Sequence, residues 1–217
     1  VDVNKLGLDV RTLQGEESRS YEKLSREFES TYGGKFNILT VSRLVPIKHI
    51  DYQILAVQTL VGEGHDVVLH IVGDGPEETR LRAYAKELGV GAHVQFHGYR
   101  SGMELGLFYV MCDCFVLTSD YEGWGMVIIE AATAGLPIVM TDVGCAGELI
   151  RDGESGLVIP PHDPRAVVDA LRRVVSDAVL RERIAMGGSH AVLALPAFDE
   201  VLVYYKKNWE RALTHRL

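Results

Sequence analysis

The chain has 217 residues, of which 47% are hydrophobic and 24% charged, and this composition predicts one soluble globular domain with extensions. Its formal net charge of −8 would repel DNA and RNA, so no nucleic-acid partner is predicted. No apolar run reaches the roughly 18 residues that a membrane-spanning helix requires, and membrane association is left open.

The predicted elements alternate along the chain. Residues 1–34 are polar and charged, and we predict a linker and N-terminal extension that includes a short amphipathic helix. Short apolar runs predict six strands, at residues 36–41, 67–72, 94–96, 114–117, 137–140 and 156–159. Apolar residues at helical spacing predict helices at residues 49–61, 81–88, 103–111, 125–134, 164–176, 178–187 and 199–213.

This alternation predicts the fold class. Strands that are apolar throughout and separated by helices form parallel sheets covered on both faces. The sequence therefore predicts an α/β, Rossmann-like, doubly wound parallel sheet of about six strands. We place this domain at residues 35–196 and assign residues 197–217 to a separate C-terminal helix.

Unusual residues follow the predicted strands, at the edge where ligands bind in doubly wound sheets. Arg43 and Lys48 follow the first strand, and glycine-containing loops follow the next three, at 73–76, 98–100 and 118–125. Glycines let a backbone approach a ligand closely, and helix N-termini attract anions. Together these features favour binding of a diphosphate, although either cation alone is typical of a solvated surface residue.

Two glutamates stand out near the fourth strand. Glu130 interrupts the apolar run 126–134, where a buried carboxylate requires polar partners. A polar ligand is the favoured partner, and a structural ion pair is the alternative. Glu122 lies eight residues earlier in a glycine-bracketed loop, so the two carboxylates can flank a ligand such as a ribose or sugar diol.

Other classes of site lack their motifs. There is no His-x-His or His-Glu-x-x-His spacing, so no metal site is predicted. The three cysteines lack zinc-finger spacing, which favours a reduced, cytoplasmic setting. There is no P-loop motif, which argues against a nucleoside triphosphatase. The stretch from Gly73 does not match Gly-x-Gly-x-x-Gly and follows the second strand instead of the first, which argues against a dinucleotide dehydrogenase.

The motifs in combination resemble the C-terminal, donor-binding domain of retaining, family-four GT-B glycosyltransferases (glycosyl transferases group 1). The central one is the paired-glutamate motif, Glu122-x7-Glu130. The similarity runs from about residue 35 to 213 and includes, in order, the segments 41–48, 73–76, 94–98, 137–139 and 152–158. The resemblance implies that the predicted sheet is one half of a GT-B fold.

The resemblance also implies roles for individual residues. Arg43 and Lys48 would hold the donor diphosphate and stabilise the leaving group, Glu122 would bind the transferred sugar, and Glu130 the ribose. We assign Arg43, Lys48 and Glu122 as catalytic. The further donor-binding residues are Gly73, Gly98, Tyr99, Arg100, Gly123, Trp124, Gly125, Met126 and Val127, in addition to Glu130. The donor would be a UDP- or GDP-sugar, transferred with retention of configuration and with no cofactor and no obligatory metal.

Some features depart from the family pattern. His49 stands where glycine is frequent, Trp124 where phenylalanine or proline is usual, and residues 144–148 lack the usual paired glycines. An acceptor-binding domain is expected to precede residue 1, with the last helix packing toward it, so we expect this chain alone to be inactive. The alternatives are a non-catalytic interaction domain of the same fold and another GT-B enzyme, such as a sugar-nucleotide epimerase or a phosphorylase.

Overall fold

The structure, a computed structural model, describes residues 16–196. Its strands are β1 (Phe36–Val41), β2 (Val67–Val72), β3 (Val94–Gly98), β4 (Cys114–Leu117), β5 (Ile138–Thr141) and β6 (Leu157–Ile159). Its helices are α1 (Glu16–Tyr32), α2 (Ile50–Gly62), α3 (Glu78–Glu87), α4 (Gly102–Met111), α5 (Met126–Ala134), α6 (Pro164–Ser176) and α7 (Ala178–Leu193). The helix predicted at 199–213 lies outside the described residues.

All six strands form one parallel sheet in the order β3-β2-β1-β4-β5-β6. This is the doubly wound, Rossmann-like order, so the predicted fold class is confirmed. The chain moves outward from β1 in both directions, and the switch point lies between β1 and β4. The loops that follow these two strands therefore open onto the crevice where such sheets bind ligands.

The core has two layers because alternate residues of each strand face opposite sides of the sheet. On one side Ile38 packs in a cluster with Ile54 of α2 and Leu171 of α6. On the other side Leu39 packs in a cluster with Phe108 of α4 and Ile128 of α5. Coverage on both faces explains why the strands are mostly apolar.

Helix α1 packs on this sheet. Phe28 is buried, with its ring centroid 5.0 Å from that of His70 on β2 and 6.1 Å from that of Phe108. The amphipathic helix predicted before Gly33 is therefore longer than expected and contributes to the core of the sheet domain. None of the helices within residues 16–196 is both long and apolar enough to cross a membrane.

Helix α7 continues past the glycine pair at which its end was predicted. A Cβ atom on Gly187 would lie 2.0 Å from the Glu154 carbonyl oxygen, and one on Gly188 would contact Ala132 of α5 at 3.7 Å. The prediction of a helix ending at residue 187 was wrong because these glycines permit close packing and do not end the helix.

The turn after β2 presses against the loop after β1. Gly73 has φ +134°, and a Cβ atom there would lie 1.9 Å from the Ser42 carbonyl oxygen. Two loops of the crevice thus pack backbone to backbone, which requires glycine at this position.

Gly73→Ala is expected to lower the free energy of unfolding by about 2 kcal/mol more than Gly64→Ala, because the new methyl group forces the two loops apart. Gly64 is the matched control, since it also has positive φ (+90°), whereas a Cβ atom added there would have no neighbour within 4 Å. Urea unfolding of the two variants measures the difference, and equal destabilisation would contradict the close contact.

Candidate functional site

An ion pair joins the loops after β1 and β4 at the switch point. Lys48 Nζ contacts Glu122 Oε1, and each side chain is only 15% exposed. Ser119 donates a second hydrogen bond to the same Glu122 oxygen, at 2.8 Å. The structure therefore brings together two of the three residues assigned as catalytic, one from each side of the crevice.

A buried hydrogen-bond network fixes the Lys48 backbone. Thr118 Oγ1 donates to the Lys48 carbonyl at 2.7 Å and lies 3.0 Å from the His49 carbonyl oxygen. Gln53 Nε2, fully buried in α2, donates to Thr118 Oγ1 at 2.9 Å. These supporting residues were not predicted from the sequence; the signal for them is a buried glutamine on the apolar face of α2.

The loop after β5 closes on the other side of Glu122. A Cβ atom on Gly144, which has φ +59°, would lie 2.9 Å from Glu122 Cβ. A larger residue at position 144 would therefore push against the carboxylate. From the sequence, Gly144 was noted as part of a segment that departs from the family pattern, and its contact with Glu122 was missed.

The loop that carries Glu122 leads into the N-terminus of α5. Gly125 adopts a left-handed conformation (φ 79°), and the first backbone bond, from Ile128 N to Gly125 O, is 2.8 Å. The N–H groups of Met126 and Val127 lie in the first turn, where they have no intrahelical acceptor. Gly123, Trp124 and Met126 are exposed, so this end of the helix dipole opens to solvent beside the ion pair.

Glu130 has a partner within the protein. Tyr109 of α4 donates its hydroxyl to Glu130 Oε2 at 2.7 Å, and the pKa of this tyrosine is raised above its usual value by burial and by the Glu130 charge. Helix α5 was expected to be buried but is only partly so, because Met126 is 64% exposed and Glu130 is half-buried. Tyr109 was missed because nothing in the local sequence links it to Glu130.

The remaining predicted donor residues at the ends of β2 and β3 lie farther along the edge. The Gly73 N–H donates to the Gly98 carbonyl at 2.9 Å, so that amide is engaged within the protein. Tyr99 is 68% exposed, and Arg100 lies 3.7 Å from Glu104 of α4. Because β3 is the edge strand, two strands from β1, this segment forms no hydrogen bond or ion pair with Lys48 or Glu122 in the described structure.

Arg43 lies in the same loop as Lys48, and its side chain is exposed to solvent. Within residues 16–196 it forms no ion pair, so its charge has no protein counter-ion in the described structure. The three cysteines are all buried and free. One group of side chains with metal-ligand chemistry, formed by His49, Asp120 and His162, also lies at this edge of the described structure.

Comparison with known proteins identifies the family. The glycosyl transferases group 1 family matches residues 22–190. One similar relative is alpha-D-kanosaminyltransferase of Streptomyces kanamyceticus, which is 34% identical over 68% of this chain and 38% of its own length. Another is GDP-mannose-dependent alpha-(1-6)-phosphatidylinositol monomannoside mannosyltransferase of Mycolicibacterium smegmatis. It is 33% identical over 72% of this chain and 43% of its own length. The chain thus spans less than half the length of these relatives.

Among solved structures, the Anabaena protein HepE in complex with UDP and glucose is similar. It superposes with a TM-score of 0.71 at 25% identity, over 80% of this chain and 47% of that protein. The family match covers most of the chain, and the order of the strands in the sheet agrees with it. The chain therefore belongs to the glycosyl transferases group 1 family of glycosyltransferases, and its doubly wound sheet is one half of a GT-B fold.

Proposed function

We propose that this chain binds a nucleotide-sugar, a UDP- or GDP-sugar, at the carboxyl edge of its sheet and presents it for glycosyl transfer with retention of configuration. The observation that carries the proposal is the Lys48–Glu122 pair at the switch point, beside the open N-terminus of α5. The cation and the free helix N–H groups suit the diphosphate, which gains negative charge as it leaves, and the carboxylate suits sugar hydroxyls.

In this proposal the diphosphate lies between the loop after β1 and α5. Lys48 and Arg43 contact its oxygens, and the N–H groups of Met126 and Val127 bind phosphate or sugar at the start of the helix. As the glycosidic bond breaks, charge accumulates on the departing diphosphate while the sugar becomes oxocarbenium-like. The two cations stabilise the transition state because that charge develops next to them.

Glu130 and the end of β3 would bind the nucleoside. Tyr109 occupies Glu130 Oε2, and within the described residues no donor reaches Oε1, which leaves that oxygen for a ribose hydroxyl. The exposed ring of Tyr99 and the backbone at Gly98 and Arg100 would lie beside the base. Glu122 would exchange its bond with Lys48 for hydroxyls of the transferred sugar.

The acceptor would bind elsewhere. The relatives are more than twice as long as the part that this chain matches, so we propose that transfer requires an acceptor-binding half in addition to this one. This chain would then act as the donor-binding half of a cytoplasmic glycosyltransferase, and the buried, free cysteines are compatible with that location.

Calorimetric titration with UDP, GDP and ADP tests the donor site. We expect selective binding of one nucleotide, weakened at least tenfold by Arg43→Ala and by Glu130→Ala, because each variant removes a contact to the phosphate or the ribose. Arg183→Ala, at an exposed position of α7, is the control for loss of charge. Failure of the folded chain to bind any of the three nucleotides would overturn the proposal.

A further inference from the structure

Two histidines from distant loops converge on one aspartate at the same edge of the sheet. His49 Nε2 lies 2.7 Å from Asp120 Oδ1, and His162 Nδ1 lies 3.2 Å from the same oxygen. The three residues follow β1, β4 and β6 respectively. Their ligand atoms all lie within 4.8 Å of one another.

The short contact between His49 and Asp120 leaves both atoms unsatisfied. His49 Nε2 and Asp120 Oδ1 are shielded from solvent, yet neither completes a hydrogen bond within the described structure. Their separation is short enough for a hydrogen bond, so it is the orientation of the imidazole ring that prevents one. Two buried polar atoms in contact without a hydrogen bond are costly unless a third species binds to both of them.

The backbone supports the same inference. Among the described residues, the non-glycine residues with positive φ are His49 (44°) and His162 (58°). A left-handed conformation costs about 1–2 kcal/mol for such residues, and it persists where the side chain has a function or a strong contact. Both strained positions carry histidine, and both side chains reach Asp120.

We propose that His49, Asp120 and His162 form a site for a divalent transition-metal ion, with Zn²⁺ as the best match. Two imidazole nitrogens and one carboxylate oxygen are a ligand set that Zn²⁺ accepts, whereas Mg²⁺ and Ca²⁺ prefer oxygen ligands. Tetrahedral zinc separates its ligand atoms by about 3.3 Å, close to the His162–Asp120 distance of 3.2 Å.

The surroundings fit such an ion. His49 stacks on Tyr52 with ring centroids 4.5 Å apart, which fixes the orientation of its imidazole. His162 is 66% exposed, so its ring is free to adjust. Lys48, next to His49, already pairs with Glu122, which reduces its repulsion of a metal ion. The fourth coordination position remains for water or another oxygen ligand.

This site was not predicted from the sequence, for a physical reason. The expectation of no metal site rested on short motifs such as His-x-His, whereas these ligands are 71 and 42 positions apart and are brought together by the sheet order. The proposal goes beyond nucleotide-sugar binding, because the ion would bind in the absence of any nucleotide.

Titration of the full, EDTA-treated chain with Zn²⁺ alone tests the site, by calorimetry and by the absorption of Co²⁺ as a spectroscopic substitute. We expect one ion per chain. At a free Zn²⁺ concentration of about 100 times the Kd, the Tm should rise by roughly 5–10 °C. Because no nucleotide is present, the outcome is independent of donor binding.

Variants separate a metal site from a simple ion pair. His49→Gly removes one ligand, so this variant should bind Zn²⁺ at least 100-fold more weakly. It should still fold well, because glycine adopts the left-handed conformation of this position more readily than any other residue. Asp120→Asn should weaken binding similarly, and His190→Ala, on the exposed surface of α7, should not. A folded chain that binds no Zn²⁺, or that binds it equally in His49→Gly and Asp120→Asn, would overturn the proposal.

Discussion

Lys48→Ala is expected to weaken binding of the cognate nucleoside diphosphate by roughly 10²–10³-fold, or about 3–4 kcal/mol. The side chain is 15% exposed, so its charge acts on a bound phosphate with little screening by water. The substitution also leaves Glu122 without its cation, which adds a carboxylate that repels the diphosphate. Calorimetry of the variant with UDP and GDP measures the loss.

Two further variants show whether the loss is specific to the site. Lys35→Ala removes the same charge from the amino end of β1, where Lys35 pairs with Asp66 at 2.8 Å, and should leave nucleotide binding unchanged. Glu122→Gln keeps the Lys48 charge and frees it from its ion pair, so nucleotide binding should be retained or tightened. If Glu122→Gln weakened UDP and GDP binding as strongly as Lys48→Ala, the division of roles between cation and carboxylate would be wrong.

Much of the fold could be predicted because its signals are local. The strands β1, β2 and β4 begin and end at the predicted residues, since each is a short apolar run bounded by polar or glycine-containing loops. Helix α7 was predicted too short because Gly187 and Gly188 have the sequence signature of a helix end. Whether a glycine ends a helix or admits a neighbour depends on contacts that lie 33 positions away at Glu154.

For the candidate site, too, local features were predicted from the sequence and contacts between distant residues were not. The loops that carry Lys48 and Glu122 were predicted from their place after strands, and their roles from the resemblance to the family. The contacts of Thr118 with the Lys48 carbonyl and of Tyr109 with Glu130 were not predicted, because they depend on which elements become neighbours in space. His49 shows the same limit: it was noted as an unusual residue, but its left-handed backbone and its contact with Asp120 appear only in the structure.

Stability should depend on a pair of buried histidines beneath α1. His70 is fully buried; its Nε2 lies 3.0 Å from Asn37 Oδ1, and its Nδ1 lies 3.0 Å from His97 Nε2. With His70 and His97 both neutral, each close approach has one donor and one acceptor. Protonation of His70 would place two N–H groups against each other between the two rings.

Lowering the pH from 7 to 4.5 is therefore expected to reduce the free energy of unfolding by about 2 kcal/mol for each of these histidines. Burial, followed by the charge of His97, lowers the pKa of His70 to about 3, and burial, followed by the charge of Arg100, lowers the pKa of His97 to about 4. In the unfolded chain both pKa values are near 6.5, so between about pH 6.5 and 4 the unfolded state binds more protons than the folded state. Stability is thus fully present above pH 6.5 and falls as the pH decreases.

Urea unfolding at intervals between pH 4.5 and 7.5 measures this dependence, with His70→Gln as the diagnostic variant. Removing one depressed pKa should reduce the slope of unfolding free energy against pH by about 1.4 kcal/mol per pH unit in this window, even if the variant is less stable at pH 7. His190→Gln, at an exposed position, should keep the slope of the original chain. Carboxylates that titrate in the same range contribute equally to all three proteins, so the difference in slope isolates His70. Parallel curves for His70→Gln and the original chain would mean that this imidazole binds protons equally in the folded and unfolded states, and the buried histidine pair would then have no part in acid unfolding.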